Sequence, residues 1–272
     1  MAGIDGEIEA PVGAAPGDRL APARPAATVT LVREAAGVDR SFQVFLVRRH
    51  VQSEFVPDVF VFPGGSVDGG DREAEQTAGA SGDWRSDDPT RPGHGFRAAA
   101  IRECFEEAGV LLAKRGQAML TIGNSEVEHY TAHRDAVRAR TSTLAGVARR
   151  EGLTLAVGDL LHWAHWVTPE GFPKRFDTHF FLAAMPQGQK AIHDRLETTE
   201  SVWITPEEAL ARYAAGTLPL VLPTERQLQE LQGLTDMRAA RSRFAQAPVA
   251  VRPRVVRRGG REIIVMPGDP EP

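Results

Sequence analysis

Cysteine is almost absent from this chain, with Cys104 the only one among 272 residues. A single thiol forms no internal disulfide and leaves no ligands for a cysteine zinc cluster, so a reducing compartment is expected. Lysine is nearly as scarce: Lys114, Lys174 and Lys190 stand alone, and arginine supplies the remaining positive charge beside abundant alanine. That bias follows GC-rich coding, so a lone arginine carries little weight as a functional signal. Neither sign of charge dominates, since 32 basic and 36 acidic residues give a net −4, which argues against a general nucleic-acid or anionic-membrane binder. No apolar run approaches the about 20 residues that span a bilayer. Residues 1–27 are rich in Ala, Pro and Gly and show no apolar stretch after a basic start, so a disordered tail is expected and no signal peptide. The final Pro267-Gly268-Asp269-Pro270-Glu271-Pro272 matches no receptor-read address or lipidation signal, and a cytoplasmic protein is expected. The lack of a G-x-x-x-x-G-K-[ST] loop removes the P-loop nucleotide-binding class.

What is present reads as a globular α+β chain, 42% hydrophobic and 25% charged. Thr28–Val32, Phe42–Val47 and Val59–Phe62 are β-branched and apolar runs, the third stopped by Pro63-Gly64-Gly65. The polar stretch from Gly69 to Gly95 reads as a surface loop or insertion, and a helix is expected from Phe96 to Ala113. Further along, a helical insertion over 125–151, strands at Leu161–Val167, Phe176–Ala183 and Ser201–Ile204, and helices at Glu207–Ala215 and Thr224–Leu234 are expected. A hairpin closes the chain, pairing Val251–Val256 with Glu262–Val265 across Gly259-Gly260. Strands and helices follow no repeating βαβ period, which favours α+β over a doubly wound sheet. One folded unit is expected over 28–245, carrying insertions at 72–95 and 125–151, with 246–272 a C-terminal hairpin and tail.

The informative segment is Arg102-Glu103-Cys104-Phe105-Glu106-Glu107-Ala108-Gly109-Val110. At helical steps, Ile101, Cys104, Phe105, Ala108 and Leu112 fall on one face and Glu103, Glu106 and Glu107 on the other. Carboxylates three and four residues apart repel each other by a few tenths of a kcal/mol per pair, and a hard divalent cation relieves this. Mg²⁺ prefers oxygen ligands and is held by a few carboxylates together with substrate phosphates. In isolation the same E-x-x-E-E is more often a solvated acidic face.

The segment resembles the Nudix hydrolase signature G-x5-E-x7-R-E-U-x-E-E-x-G-U, where U is a bulky apolar residue. Arg102, Glu103, Glu106, Glu107 and Gly109 fall on its invariant letters, and Gly65 and Asp71 stand where its first glycine and glutamate fall. The seven residues after that glutamate are replaced by the whole of 72–101, in a polar stretch where added length costs little. A box split in this way is similar to one branch of the family, the peroxisomal coenzyme A diphosphatases of animals and their bacterial relatives. Phe55–Gly65, Trp166–Pro169 and Arg175–Leu182 share the resemblance, which covers about Thr28 to Leu234.

The resemblance implies a Nudix-type α/β/α sandwich around a mixed sheet, with Mg²⁺ or Mn²⁺ held by Glu103, Glu106, Glu107 and Asp71. Arg102 would orient a box carboxylate, Gly65 and Gly109 would shape the loop–helix–loop, and Gly64 and Gly65 would lie against the substrate. Glu103, Glu197 and Glu200 are the candidates for general base, the last two equally compatible with a solvated turn. The implied reaction is hydrolysis of a diphosphate in coenzyme A or acyl-coenzyme A, giving 3′,5′-adenosine bisphosphate and (acyl)phosphopantetheine. Arg48, Arg49, Lys174 and Arg175 are the candidate phosphate contacts. NADH, nucleotide sugars and capped RNA are the alternative substrates, and a nucleotide-metabolite sensor is the non-enzymatic alternative. Partners are therefore a small-molecule nucleotide and, since Nudix enzymes are often dimeric, a second copy of the chain. His129 and His133 have a zinc-binding spacing but lack the H-E-x-x-H pattern, so exposed helix histidines are expected. His162 and His165 read as sheet-surface residues, and Cys104 as a buried thiol.

Overall fold

The computed structural model describes residues 21–34, 42–52, 56–77, 94–194, 197–258 and 261–269. Strands β1 (Ala23–Glu34), β2 (Phe42–Arg49), β3 (Phe60–Val61) and β4 (Gly64–Ser66) lead into helix α1 (Gly69–Thr77). Helix α2 (Phe96–Glu103) continues as one widened π turn, Cys104–Ala108. After β5 (Ala113–Arg115) and β6 (Ala118–Met119) come α3 (Val127–Arg138), α4 (Leu144–Glu151) and β7 (Thr154–Leu155). The chain then runs through β8 (Leu161–Val167), β9 (Arg175–Ala184), β10 (Thr198–Ile204), α5 (Pro206–Ala214), α6 (Leu222–Leu231), α7 (Met237–Arg243) and the hairpin β11 (Arg254–Arg258) and β12 (Arg261–Val265).

The main sheet is mixed, in the order β10-β2-β1-β9-β8, with β3 added to β2 and β4 to β1. Strand β1 runs parallel to β9 and antiparallel to β2. Its residues from Ala26 to Val32 are buried without interruption, as a strand covered on both faces requires. Alternation divides the core in two. Ala27, Val29, Leu31, Phe45, Val47 and Phe181 face α2, α3 and α4. Val32, Val44, Leu46 and Leu182 face α5, α6 and α7. The three-layer α/β/α sandwich follows from this division. Ala98, Ala99 and Ala100 are fully buried, and their small side chains let α2 lie close on β1.

Several boundaries differ from the sequence reading. Strand β1 starts at Ala23, ahead of the tail boundary expected at 28, because it pairs with β9 from Ala23↔Arg175 onward; residues 1–20 lie outside the described residues. The stretch expected as loop from Gly69 begins with helix α1, started by a capping exchange in which Asp71 N donates to Asp68 Oδ1 and Asp68 N to Asp71 Oδ2; residues 78–93 lie outside the described residues. The helix expected to reach Ala113 stops at Ala108, since Gly109 takes φ 70°, a conformation that costs glycine little. The 125–151 insertion is two helices, and β4, the small sheet β6-β5-β7 and α7 went unanticipated. The C-terminal hairpin pairs Arg254↔Val265 to Arg258↔Arg261, its first strand starting three residues later than expected; the expected Gly259-Gly260 turn lies outside the described residues.

Phe181 is fully buried in the layer beneath α2, so Phe181→Ala is expected to cost about 3–5 kcal/mol, read as a lowered urea midpoint with an unchanged slope.

Candidate active site

The box is assembled from two pieces of chain. Helix α2 begins at Gly95 with no side-chain cap of its own; the cap comes from Glu75 on α1, whose Oε1 accepts from Arg97 N at 2.7 Å and Ala98 N at 3.2 Å, and whose Oε2 accepts from Gly95 N at 2.8 Å. A buried carboxylate at a helix N-terminus satisfies orphan amides and complements the dipole. One turn earlier on α1, Asp71 receives the Arg102 guanidinium on both oxygens, from Nε at 2.9 Å and Nη2 at 3.0 Å. Arg102 Nη2 also donates to Ser66 O at 2.8 Å, and Nη1 to Glu103 Oε1 at 2.6 Å and Glu106 Oε1 at 3.3 Å. Asp71 is only 1% exposed, and its carboxylate is engaged in an ion pair with Arg102.

Glycine at 64 and 65 is explained by close approach. A Cβ on Gly65 would lie 2.5 Å from Glu103 Oε1, and one on Gly64 2.3 Å from Thr28 Oγ1. Gly64 N donates to Glu107 Oε2 at 3.0 Å, so both glycines serve the box carboxylates directly.

Asp71, Glu103 and Glu106 thus crowd around one guanidinium, and Glu107 stands close enough to Glu103 for their charges to interact. Burial pushes Glu103 up to about 7 against the pull of Arg102, with Glu106 adding to the rise. Burial and then the charge of Glu103 hold Glu107 well above the usual carboxylate range, with Arg49 opposing. Glu106 is raised by burial too, partly offset by Arg102. Carboxyls that give up protons reluctantly for want of positive charge are suited to a hard divalent cation, and the donor set of Glu103, Glu106 and Glu107 is all oxygen, as Mg²⁺ or Mn²⁺ prefers.

The remaining expected residues divide. Glu197 lies close enough for its charge to act on both Glu106 and Glu107. Its backbone N donates to Asp194 Oδ2 at 3.0 Å, and its carbonyl accepts from His50 N at 3.0 Å. Glu200 is not brought to the box; it is half exposed and pairs with Arg48 Nη1 at 3.4 Å. Arg48 also pairs with Asp58 at 2.9 Å and lies over the Phe60 ring, on the α5–α6 side of the sheet. Arg49, next along β2, points the other way and acts on Glu107. Arg175 donates to Thr168 O, Pro169 O and Ala21 O, closing the turn before β9 about 13 Å of strand from His179. Lys174 is exposed on that turn. Neither is brought to the box.

Residues missed in the sequence complete the surroundings. Arg134 on α3 donates Nε to Glu106 O at 2.9 Å and Nη2 to Ile192 O at 3.2 Å. Arg138 reaches Asp194 at 3.5 Å, so α3 links the box to the Glu197 turn. A cavity of about 330 Å³ lies between the α1 side of the box and the turn joining α3 to α4, lined by Asp68, Asp71, Arg102 and Glu106 on one side and Arg140, Ser142 and Thr143 on the other. Glu75, Arg134 and Asp194 belong to no local motif and left no sequence signal. Two further groups of metal-ligating side chains lie among the described residues, His129/His133/Glu151 and His165/Asp177/His179. His133 is buried, against expectation, and so is His162, whose Nε2 meets His179 Nδ1 at 3.0 Å.

Sandwich and box together are those of a Nudix hydrolase, an enzyme of that superfamily. Residues 73–232, more than half of the chain, match the family described as the NUDT19 Nudix domain, and the chain belongs to it. The chain is similar to the Acyl-coenzyme A diphosphatase NUDT19 of Xenopus laevis, 26% identical in a comparison that covers 70% of this chain and 60% of that protein. The Homo sapiens protein of the same name is 28% identical in a comparison that covers 72% of this chain and 63% of its own. The chain therefore spans less than two thirds of the length of these relatives. Among solved structures, a NUDIX hydrolase from Alicyclobacillus acidocaldarius is similar with TM-score 0.67 and 28% identity, over 81% of this chain and 96% of that one.

Two outcomes are expected. Asp71→Asn, which breaks the buried pair with Arg102, should destabilise the protein by about 3–5 kcal/mol in chemical denaturation. In metal-free buffer the native state holds more protons than the unfolded chain between the ordinary carboxylate value of about 4.3 and about 7 for Glu103. Stability should therefore fall as pH rises through that window, and Glu103→Gln should flatten the decline; an unchanged pH profile of the melting temperature in the variant would refute the assignment.

Proposed function

We propose that this protein hydrolyses the diphosphate of a nucleoside-diphosphate-linked substrate, and that the substrate is coenzyme A or an acyl-coenzyme A. The observation that carries the hydrolytic reading is the gathering of Glu103 and Glu106 on a single Arg102, with Glu107 beside them on Gly64 N and α1 supplying Asp71, the half of the box displaced in sequence. Glu103, Glu106 and Glu107 hold Mg²⁺ or Mn²⁺ in this reading. Bound there, such an ion neutralises the diphosphate, polarises the attacked phosphorus and lowers the pKa of water.

The chain's own residues supply the rest. Arg102, clamped by Asp71, fixes the rotamers of Glu103 and Glu106. Glu197, whose backbone N is held by Asp194 and whose charge acts on Glu106, is the general base that takes the proton of the attacking water in this reading. Arg49, on the box side of β2, is the contact for the substrate's diphosphate oxygens. The cavity between Glu106 and Arg140 is of the size of the smaller ligand sites, about 300–1,000 Å³, and is the place for part of the substrate. The coenzyme A assignment draws its support from the split box and from the two relatives named as acyl-coenzyme A diphosphatases. The cytoplasmic setting rests on cysteine content, and among the described residues no helix is long and apolar enough to cross a membrane.

A product-resolved assay with Mg²⁺ or Mn²⁺ against coenzyme A, acetyl-coenzyme A, NADH, ADP-ribose and a nucleotide sugar tests the reading. Metal-dependent release of 3′,5′-adenosine bisphosphate from the coenzyme A substrates is the expected result. Cleavage of another diphosphate alone would keep the hydrolase and overturn its substrate, and no turnover of any would favour a sensor. Glu106→Gln is expected to reduce turnover to the metal-free background while leaving the circular dichroism spectrum intact.

A further inference from the structure

Helices α3 and α4 meet at a group of side chains that the box chemistry does not use. His129 and His133, one turn apart on α3, both direct Nε2 at the same oxygen of Glu151, the last residue of α4, at 3.0 and 2.9 Å. All three donor atoms lie within 4.8 Å of one another. The imidazoles stand nearly edge to face, 4.6 Å apart and inclined at 75°. Tyr130, itself buried, closes one side of the group and accepts a hydrogen bond from Arg115 at 3.0 Å. The His133 and Glu151 side chains are 7% and 15% exposed, whereas His129 is 55% exposed.

We infer that His129, His133 and Glu151 form a second metal site, sharing no residue with the box, that takes a borderline divalent transition ion such as Zn²⁺. Two imidazoles and one carboxylate are a ligand set that zinc accepts and Mg²⁺ does not favour. With zinc about 2.0–2.2 Å from nitrogen and oxygen ligands, neighbouring donors of a tetrahedral ion lie about 3.3–3.4 Å apart, so the 3.0 and 2.9 Å separations need to open by only a few tenths of an ångström. The exposed side at His129 leaves the fourth position to water. An ion here ties α4 to α3, and α3 carries Arg134 to the backbone of Glu106 and Arg138 to the Asp194 that holds Glu197. The site thereby steadies one wall of the active site without touching the reacting atoms.

The test uses chelator-stripped full-length protein in excess Mg²⁺, which fills the box, titrated with Zn²⁺ by calorimetry and with Co²⁺ by visible absorption. One equivalent of Zn²⁺ is expected to bind and raise the melting temperature, and Co²⁺ to show the intense bands of a low-coordinate site. His129→Ala, at a side chain 55% exposed, should lose the Co²⁺ bands and the zinc-induced shift, as should Glu151→Gln, while Glu106→Gln in the box keeps both. Absence of uptake by the wild-type protein would leave Glu151 as a simple acceptor for two histidines and overturn the inference, as would uptake undiminished in His129→Ala or uptake lost in Glu106→Gln.

Discussion

The Arg102 guanidinium is the interaction on which the site depends. It is buried, and three of its hydrogen-bond partners are carboxylates: Asp71 on both oxygens, Glu103 and Glu106. A charge withdrawn from water is tolerated only when its donors are matched, and Ser66 O takes the donation left over from the acids. The same set of bonds fixes where the box acids stand. Arg102 neutralises only part of the negative charge around it, and the remaining deficit is what suits the site to a divalent ion.

Architecture supports this arrangement from both sides. Beneath α2, the alanines at 98–100 allow close contact with the sheet. On its flank, α1 caps its first turn through Glu75 and pairs with Arg102 through Asp71. At its end, the π turn and the left-handed Gly109 turn the chain away immediately after Glu107, a distortion of the kind found at functional segments of helices. Helix α3 then reaches back through Arg134 to the carbonyl of Glu106. Each contact acts on a different part of the same short stretch.

Much of this was legible in the sequence, for identifiable reasons. Strands were found where β-branched and apolar residues ran together, and the box helix where acids and apolar residues separated onto two faces. Gly109 is a letter of the signature, yet the left-handed conformation by which it shortens the helix is a property of the folded turn that the letter alone does not carry. Helix α1 escaped because its polar sequence, with Gly at both of its first positions, carries little apolar periodicity; it is held by capping and by ion pairs with residues far along the chain. Glu75, Arg134 and Asp194 escaped for the same reason, since a buried acid satisfying distant amides looks in sequence like any surface acid. The alternation of β2 settled what composition left open, sending Arg49 toward the box and Arg48 away from it. The pairing of β1 with β9 likewise placed Arg175 at the far end of the sheet, as a clamp on backbone carbonyls.

The division of the box between α1 and α2 has a consequence for how such a signature evolves. Asp71 and Glu75 are anchored to α2 by their own side chains, so the geometry at Glu103 is set by docking of one helix on another. A motif defined by residue spacing is in this protein a small internal interface, with its own complementarity and its own binding energy. Selection acting on that interface constrains the two faces that meet and leaves the count of residues joining them unspecified. The length of chain between the two halves can therefore change without disturbing the site, so long as Asp71 still meets Arg102 and Glu75 still meets the first amides of α2.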